Sequence, residues 1–316
     1  MESGAMKILV AGAQGQLARA LLECAPSHKS FDVVALGRPE LDLADQASIA
    51  RVVDAVAPDL VVNAAAYTAV DKAESEPEAA FAINRDGAAV LAEAADAHGC
   101  PIIHVSTDYV FDGAKTAPYA ESDATNPAGV YGRSKLAGET AVAAANPRHV
   151  ILRTAWLYSA QGHNFLKTIV RLASERPELR VVADQRGNPT YAPHLAQAIL
   201  AIAARLGQRS DPDRWGIFHA AGSGETSWCG FATAIVAGAG LLGVPPVPVI
   251  PIATDAYPTP AKRPANSRLD CGKLERTFGV RLPPWQRGVE ECLARLARGT
   301  TARALRDNQA AEPAQH

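Results

Sequence analysis

The N-terminal residues predict a strand, a glycine-rich loop and a helix in immediate succession. The apolar run 7–11 leads into Gly12, Gly15 and Ala18, spaced Gly-x-x-Gly-x-x-Ala, and residues 19–22 have helical character. In this context the first glycine permits a tight turn, the second lets the backbone approach a pyrophosphate, and a small third residue lets the helix pack closely on the strand. The segment therefore predicts an α/β fold, a Rossmann-type doubly wound parallel sheet whose first loop and helix N-terminus bind phosphate.

Further apolar runs are typical of buried strands in the same sheet. They cover residues 31–36, 60–66, 101–105 and 149–154. In a parallel sheet the carboxyl ends of the strands face the ligand crevice. The predicted strand ends therefore converge on one site, which is the main argument for function from the sequence, and they lie at Gly12, Gly37, Ala66 and Thr107.

The end of the second predicted strand indicates which dinucleotide is bound. A Rossmann domain that selects NAD usually has an acidic residue here to hold the ribose 2′-hydroxyl, whereas this chain has Gly37 and Arg38. Because an arginine can bind a 2′-phosphate, the sequence favours NADPH over NADH; alternatively, Arg38 is a solvated loop residue. Asp42, placed just after a short predicted strand, is suited to accept a hydrogen bond from an adenine amino group.

A hydroxyl residue, a tyrosine and a lysine supply the predicted chemistry. Thr107 follows a strand, and Tyr131 and Lys135 are four residues apart, which places the phenol and the ammonium on one face of a helix. A nearby cation favours the phenolate, so Lys135 is expected to lower the pKa of Tyr131 and make it a general acid or base. The same spacing also occurs by chance on amphipathic helices, and the glycine loop is what gives it weight here.

With a bound nicotinamide these side chains predict the reduction of a ketone without a metal. Tyr131 would donate a proton to the forming alkoxide, Lys135 would also hold the nicotinamide ribose, and Thr107 would hydrogen-bond the carbonyl oxygen.

Composition and charge disfavour several classes of protein. A net charge of −2 gives no support to a nucleic-acid or anionic-membrane partner. No apolar run approaches the ~20 residues of a membrane helix, and the N-terminus lacks the regions of a signal peptide. The five cysteines are scattered and never spaced Cys-x-x-Cys, which is typical of free thiols in a reducing cytosol. We therefore expect a cytoplasmic protein.

The chain is expected to divide into two parts near residue 155. Residues 6–155 are predicted to form the NAD(P)-binding Rossmann domain. Residues 156–298 have too few regular βα units to extend the first sheet, and are expected to form mainly a smaller C-terminal α/β substrate lobe, from which strands or a helix can return to the first domain. Residues 299–316 are predicted to be a disordered tail, and residues 1–5 a cloning remnant before Met6.

Longer motifs carry a resemblance to a known family. Gly12-x-x-Gly15, Thr107 and Tyr131-x-x-x-Lys135 together resemble the extended short-chain dehydrogenase/reductases. Within these, the chain is similar to the dTDP-4-dehydrorhamnose reductases from Met6 to about Leu296, most clearly at residues 63–74, 106–111, 164–165 and 263–267. The resemblance implies NADPH- or NADH-dependent reduction of the C4 ketone of dTDP-4-dehydro-L-rhamnose to dTDP-L-rhamnose. This is the last step of that nucleotide-sugar pathway, which serves lipopolysaccharide and cell-wall polysaccharide.

The resemblance also implies roles for individual residues. Cofactor contacts beyond Arg38, Tyr131 and Lys135 are implied for Gly12, Gln14, Gly15, Gln16, Leu17, Asp42, Leu43, Ala64, Ala65, Ala66, Tyr67 and Thr68. Contacts with the sugar are implied for Val70, Thr107, Asp108, Tyr109 and Trp156, of which Trp156 would pack on the hexose. Arg263 and Asn266 are candidates for the nucleotide-diphosphate end, because a guanidinium suits phosphate; Arg263 could equally form an interdomain salt bridge.

The sequence departs from the family pattern at four positions. Ala18 replaces the third glycine of the fingerprint and still fits close packing. Where some members carry acidic residues that bind Mg²⁺ at a dimer contact, this chain has Ala20, Pro193 and Gln286, which cannot serve as carboxylate ligands. We therefore expect no metal-bridged dimer of that kind and leave the oligomeric state open between a monomer and a weak homodimer.

Two alternatives stay open at this point. One is a reductase of another dTDP-4-keto-6-deoxyhexose, or one that gives the opposite configuration at C4. The other is a non-catalytic NADP-binding regulatory subunit, since a relative of the family is a partner of methionine adenosyltransferase. The presence of Thr107, Tyr131 and Lys135 favours an enzyme.

Overall fold

A six-stranded parallel sheet forms the centre of the protein. The computed structural model describes residues 4–207 and 214–311, and only the backbone of residues 300–311. Every neighbouring pair of strands is parallel, and the order from one edge to the other is β10 (Gly216–His219), β5 (His149–Thr154), β4 (Ile102–Thr107), β3 (Leu60–Asn63), β1 (Met6–Ala11), β2 (Phe31–Leu36). The chain order reverses between β1 and β3, where open sheets of this kind bind their ligands.

Helices cover both faces of the sheet because its strands are apolar on both sides. Along β1, Ile8 and Val10 belong to one buried cluster, and Leu9 and Ala11 belong to a second. Successive side chains of a strand point to opposite faces, so an unbroken apolar run indicates a sheet that is buried twice. The helices on the first face are α1 (Gln16–Cys24) and α8 (Ala192–Leu206), and those on the second are α2 (Gln46–Val56), α5 (Ala88–Ala97) and α6 (Val130–Ala145).

The second half forms a smaller lobe with its own apolar core. Tyr158, Phe231 and Trp285 lie in that core among three helices: α7 (Phe165–Glu175), α9 (Trp228–Gly238) and α11 (Trp285–Ala311). Short strands pair beside them: β6 (Leu157–Tyr158) with β9 (Thr190–Tyr191), β7 (Leu179–Val182) with β12 (Val249–Ile252), and β8 (Arg186–Gly187) with β11 (Thr226–Ser227). None of the helices in the described ranges is long and apolar enough to cross a membrane.

The second half also extends the first sheet. The strand β10 pairs with β5 and becomes the edge of the sheet. Two helices of the second half, α8 and α10 (Gly272–Phe278), contribute side chains to the apolar cluster of the first domain. These elements agree with the expectation that strands or a helix can return to the first domain. The expectation that this half has too few βα units to extend the sheet is wrong, because a single four-residue strand is enough to add an edge.

Three further predictions differ from the structure. Residues 38–41 form turns and a bend, so the short strand predicted before Asp42 is absent, and β3 ends at Asn63 before the predicted Ala66. The backbone of α11 is helical to Ala311, where a disordered tail is predicted from residue 299, and alanine, the best helix former, occupies four of residues 299–311. Residues 312–316, and residues 1–3 of the predicted cloning remnant, lie outside the described residues.

A π-helical turn anchors α6 beneath the end of β3. The turn, Ala82–Gly87, follows two short helices, α3 (Val70–Ala73) and α4 (Pro77–Phe81). The side chain of Asn84 accepts a hydrogen bond from the Tyr67 backbone N–H at 2.8 Å and donates one to Ser134 Oγ at 2.9 Å. Gly138 of α6 allows this approach, because a Cβ atom there would lie 2.0 Å from the Asn84 backbone oxygen.

We predict that Gly138→Ala destabilises the protein although alanine is the better helix former. The methyl group would push α6 away from the π-helical turn, at a cost of about 2 kcal/mol or more in unfolding free energy. Gly240→Ala is the matched control, because nothing lies within 4 Å of a Cβ at that position. Urea unfolding of both variants at constant m value measures the difference, and equal midpoints would show that α6 can shift freely.

Candidate active site

A cavity of about 670 Å³ lies at the carboxyl edge of the sheet. It extends from the glycine loop after β1, past the ends of β2 and β3, to the N-terminus of α6 and the segment after β5. Most of the residues predicted to form the site line it: Gly12, Gln14, Gly15, Gln16, Leu17, Arg38, Asp42, Leu43, Ala64, Ala65, Ala66, Thr68, Val70, Thr107, Asp108, Tyr109, Tyr131, Lys135 and Trp156. The convergence of strand ends expected from the sequence is therefore present.

The glycine loop has the shape needed to bind a pyrophosphate. Gly12 has φ +99°, and a Cβ atom there would lie 3.0 Å from the backbone of Ala65, so a larger residue would be strained and crowded. The helix α1 begins after Gly15 with no side-chain cap and no acidic residue in its first turn. Its N-terminal N–H groups and positive dipole end are thus available to an anion, and these residues fit a dinucleotide phosphate.

The end of β2 leaves room for the far end of a dinucleotide. Gly37 is packed so closely on the loop that a Cβ atom would lie 2.3 Å from Gln14 Oε1. Gln14 Nε2 donates to the Arg38 carbonyl at 3.1 Å, which ties the glycine loop to the end of β2. The Arg38 side chain is exposed at the cavity, and Asp42 Oδ1 accepts from the Ala44 N–H at 3.0 Å. One cation and one carboxylate therefore stand at this end.

Tyr131 begins the first turn of α6 and its ring lies against Tyr109. The two ring centroids are 5.5 Å apart at an interplanar angle of 75°, an edge-to-face contact. Burial raises the pKa of the Tyr131 phenol, and a hydrogen bond with the Thr107 hydroxyl opposes the rise. The phenol therefore carries its proton at neutral pH.

Lys135 lies one turn further along α6, beneath the cavity. Its Nζ donates to the Val105 carbonyl at 2.7 Å and is 3.3 Å from His104 Nε2. The side chain is buried, and this burial lowers its pKa to about 8. The prediction that Lys135 lowers the pKa of Tyr131 is wrong for this ligand-free site, because desolvation of the phenol is the dominant effect.

Asp108 is a buried carboxyl group with an incomplete set of partners. Its Oδ1 accepts from Thr107 Oγ1 at 3.0 Å, whereas its buried Oδ2 has no hydrogen-bond partner within the described part of the protein. Burial raises its pKa to about 6, although the hydroxyls of Ser267 and Thr107 oppose the shift. Such an unsatisfied acceptor in a cavity is suited to a hydrogen bond from a ligand hydroxyl.

Two stacked tryptophans form the wall of the cavity at the second lobe. Trp156 follows β5 with φ +48°, a strained conformation for a residue other than glycine. Its ring stacks on Trp228 of α9 with centroids 3.6 Å apart and an interplanar angle of 10°. Trp156 was a sequence prediction, but Trp228 was missed, because it lies in a segment whose contact with the first domain is not visible in local patterns.

Three of the predicted site residues do not line the cavity. The Tyr67 hydroxyl donates to Glu76 at 2.7 Å. Asn266 is buried and donates to two backbone carbonyls at 2.7 and 2.8 Å. Arg263 pairs with Asp71 at 2.7 Å and donates to the Tyr109 hydroxyl at 3.0 Å, which matches the alternative of an interdomain salt bridge.

The sequence also left several lining residues without a role. Gly162 and His163 come from the exposed loop before α7, Leu41 comes from the bend before Asp42, and Ile83 comes from the π-helical turn. No local motif marks them, since they reach the cavity only through packing of the second half on the first. In the described ranges, His, Cys, Asp and Glu side chains form no group of three that could hold a metal ion, and all five cysteines are free.

Comparison with known proteins gives consistent matches over most of the chain. The family model described as the RmlD substrate binding domain matches residues 6–298. A dTDP-4-dehydrorhamnose reductase from Sinorhizobium fredii is 54% identical over 281 residues, which is 89% of this chain and 94% of that protein.

Two solved structures share the fold. A dTDP-4-dehydrorhamnose reductase from Clostridium acetobutylicum has a TM-score of 0.85 at 39% identity. A dTDP-4-dehydrorhamnose reductase from Bacillus anthracis, in complex with NADP, has a TM-score of 0.83 at 33% identity. Each comparison covers 92% of this chain and 99% of the other. The predicted Rossmann-type fold is thereby confirmed.

We predict that Asp108→Asn stabilises the ligand-free protein at neutral pH. The folded state keeps the carboxyl proton up to about pH 6, whereas the unfolded chain loses it near pH 4. Because the unfolded state binds fewer protons in this interval, ionisation of Asp108 makes stability fall as the pH rises from 4 to 6. The substitution should remove this decline and add roughly 1–3 kcal/mol at pH 7.

Urea unfolding at pH 4, 5, 6 and 7 measures this effect. The exposed Asp255→Asn is the control, in which the decline should persist. An Asp108→Asn protein whose stability follows the wild-type pH curve would contradict the assignment.

Proposed function

This chain belongs to the family described as the RmlD substrate binding domain, and we propose that it is the reductase that converts dTDP-4-dehydro-L-rhamnose to dTDP-L-rhamnose with NADPH. One observation carries the proposal. Thr107, Tyr131 and Lys135 lie in the same cavity as a glycine loop shaped for pyrophosphate. The function also agrees with the names of curated relatives and with the NADP complex of a relative that is 33% identical.

The residues of the first domain would hold the dinucleotide along the carboxyl edge of the sheet. The N–H groups that begin α1 would bind its pyrophosphate, with Gln16 and Leu17 on either side. Arg38 would pair with the 2′-phosphate that distinguishes NADPH from NADH, and Asp42 would accept a hydrogen bond from the adenine. Small residues after β3, Ala64 to Ala66 with Thr68, would let the middle of the cofactor lie on the backbone. When bound, the nicotinamide supplies a hydride to the ketone carbon.

Tyr131 would donate the proton that converts the alkoxide at C4 into the alcohol. The phenol holds its proton at neutral pH and is therefore loaded as an acid. Burial raises its pKa and makes it a weaker acid, so positive charge near the forming phenolate would be needed to offset that effect. Thr107 would hydrogen-bond the same oxygen and orient it towards the phenol. Lys135 would hold the nicotinamide ribose and supply positive charge as the phenolate forms.

The sugar would lie between the two lobes. Asp108, whose Oδ2 has no partner among the described residues, would accept a hydrogen bond from a sugar hydroxyl. Trp156 would pack on the apolar face of the hexose, and Val70 and Tyr109 would contact it from the opposite side. Arg263 would act indirectly, through its hydrogen bond to the Tyr109 hydroxyl at 3.0 Å.

The proposed reaction is tested by a coupled assay. We expect the protein to oxidise NADPH when dTDP-4-dehydro-L-rhamnose is generated in place, with dTDP-L-rhamnose identified as the product by NMR. A different C4 epimer, or activity only with another 4-keto-6-deoxyhexose, would transfer the proposal to a related nucleotide-sugar reductase. NADPH binding without oxidation of any such substrate would favour a regulatory subunit.

We predict that Tyr131→Phe lowers turnover by a factor on the order of 10² or more, while the Kd for NADPH changes little. The substitution removes the proton donor and leaves the ring in place, so the loss should appear in kcat. Tyr257→Phe removes the hydroxyl of an exposed tyrosine away from the cavity and is the control. Near-normal turnover of Tyr131→Phe would exclude this residue as the donor.

A further inference from the structure

A chain of buried hydrogen bonds runs beneath the cavity and ends at Lys135. The Ala65 backbone N–H donates to Asn63 Oδ1 at 3.1 Å, and Asn63 Nδ2 is 3.1 Å from His104 Nδ1. His104 Nε2 is then 3.3 Å from Lys135 Nζ, which donates to the Val105 carbonyl at 2.7 Å. Asn63 and His104 are 0% exposed and Lys135 is 1% exposed, so water does not compete for these groups.

The hydrogen bond from the Ala65 N–H to Asn63 Oδ1 fixes the direction of donation in all the hydrogen bonds that follow it. A backbone N–H can only donate, so the amide oxygen of Asn63 must face Ala65 and its NH₂ group must face the imidazole. Nδ1 of His104 is therefore an acceptor, and the neutral ring carries its proton on Nε2. This Nε2–H points towards Lys135 Nζ. An ammonium has only donors and would meet a second donor there, whereas a neutral amine offers a lone pair.

The charged groups around Lys135 do not reverse the preference of this site for a neutral amine over an ammonium. His104 stays neutral, because burial holds its pKa well below the usual range. Glu139, one turn further along α6, favours the ammonium, but its carboxylate is paired with the buried Arg153 at 2.6 Å.

Other titratable groups lie on the elements packed against α6. They include the buried carboxyl of Asp108, the phenol of Tyr109, the carboxylate of Glu74 bonded to the Val130 N–H, and the ion pairs Asp71–Arg263, Lys72–Glu76 and Arg85–Asp86; the phenol of Tyr131 lies on α6 itself.

We propose that His104 is a positioning residue that, oriented by Asn63, donates Nε2–H to Lys135 and favours its neutral amine over its ammonium form in the ligand-free protein. The lysine then takes up a proton from solvent when negative charge enters the cavity, as phosphate groups or as the Tyr131 phenolate. The catalytic consequence rests on the proposed function, but the protonation states do not. Desolvation acts in the same direction, since burial lowers the pKa of Lys135 to about 8.

One isosteric substitution should reverse the direction of donation along these hydrogen bonds. In Asn63→Asp both side-chain oxygens accept, so one still binds the Ala65 N–H and the other requires a proton on His104 Nδ1. The Nε2 lone pair would then face Lys135 and accept from its ammonium, and the new carboxylate adds negative charge nearby. We expect the Lys135 pKa to rise by about one pH unit or more.

The tautomer and the lysine are both measured by NMR on the ligand-free protein. Histidine ¹⁵N shifts report which ring nitrogen of His104 carries the proton, and the ¹³Cε shift of Lys135 follows its titration. The signals are assigned by their loss in His104→Gln and Lys135→Met. We expect the wild-type ring to be neutral with its proton on Nε2 from pH 6 to 9. In Asn63→Asp the proton should move to Nδ1, whereas Asn126→Asp, the same charge change at an exposed site, should leave both signals in place.

A wild-type ring protonated on Nδ1, or a charged imidazolium at neutral pH, would overturn the proposal. So would a Lys135 titration that is the same in wild type and Asn63→Asp. If the buried aspartate prevents folding, the wild-type tautomer and lysine titration decide alone. Because no substrate or cofactor is present, failure here is distinct from failure of the proposed reaction, which the NADPH assay detects separately.

Discussion

Burial of the parallel sheet on both faces is the constraint on which the rest of this protein depends. Helices cover the strands on each side, so the backbone can meet a ligand only at the ends of the strands. The turns at this edge must therefore come close to one another and to the ligand. Gly12 against Ala65, and Gly37 against Gln14, are the contacts that make this approach possible. The architecture of the sheet therefore determines where the cavity lies, and the side chains at the strand ends determine its chemistry.

Desolvation is the second consequence of that burial, and it acts on the buried ionisable groups of the site. It raises the pKa of Tyr131 and of Asp108 and lowers that of Lys135, so each is driven towards its neutral form. Burying neutral polar groups without all of their hydrogen bonds lowers the stability of the folded protein. The site responds strongly, however, when a charged ligand arrives, because charge interactions are little screened in such surroundings.

Much of the fold was readable from the sequence, because the strands are continuous apolar runs and the glycine loop follows the first of them. Thr107, Tyr131 and Lys135 were found by helical spacing and by their place after a strand. Trp228 and Gly162 were missed, and the segment that forms the edge strand β10 was not located, because their positions arise from packing of the second half on the first. The sign of the Tyr131 pKa shift was wrong for a related reason, since burial cannot be judged from a one-turn spacing.

The stacked indoles give the protein an optical signal of its own site. The chain has four tryptophans, and two of them, Trp156 and Trp228, line the cavity with nearly parallel rings 3.6 Å apart. Electronic transitions on two such rings couple, so their near-ultraviolet circular dichroism depends on the angle and distance between them. Half of the tryptophans thus report on one wall of the cavity, and any change in the stacking of the two rings is encoded in the spectrum of the unlabelled protein.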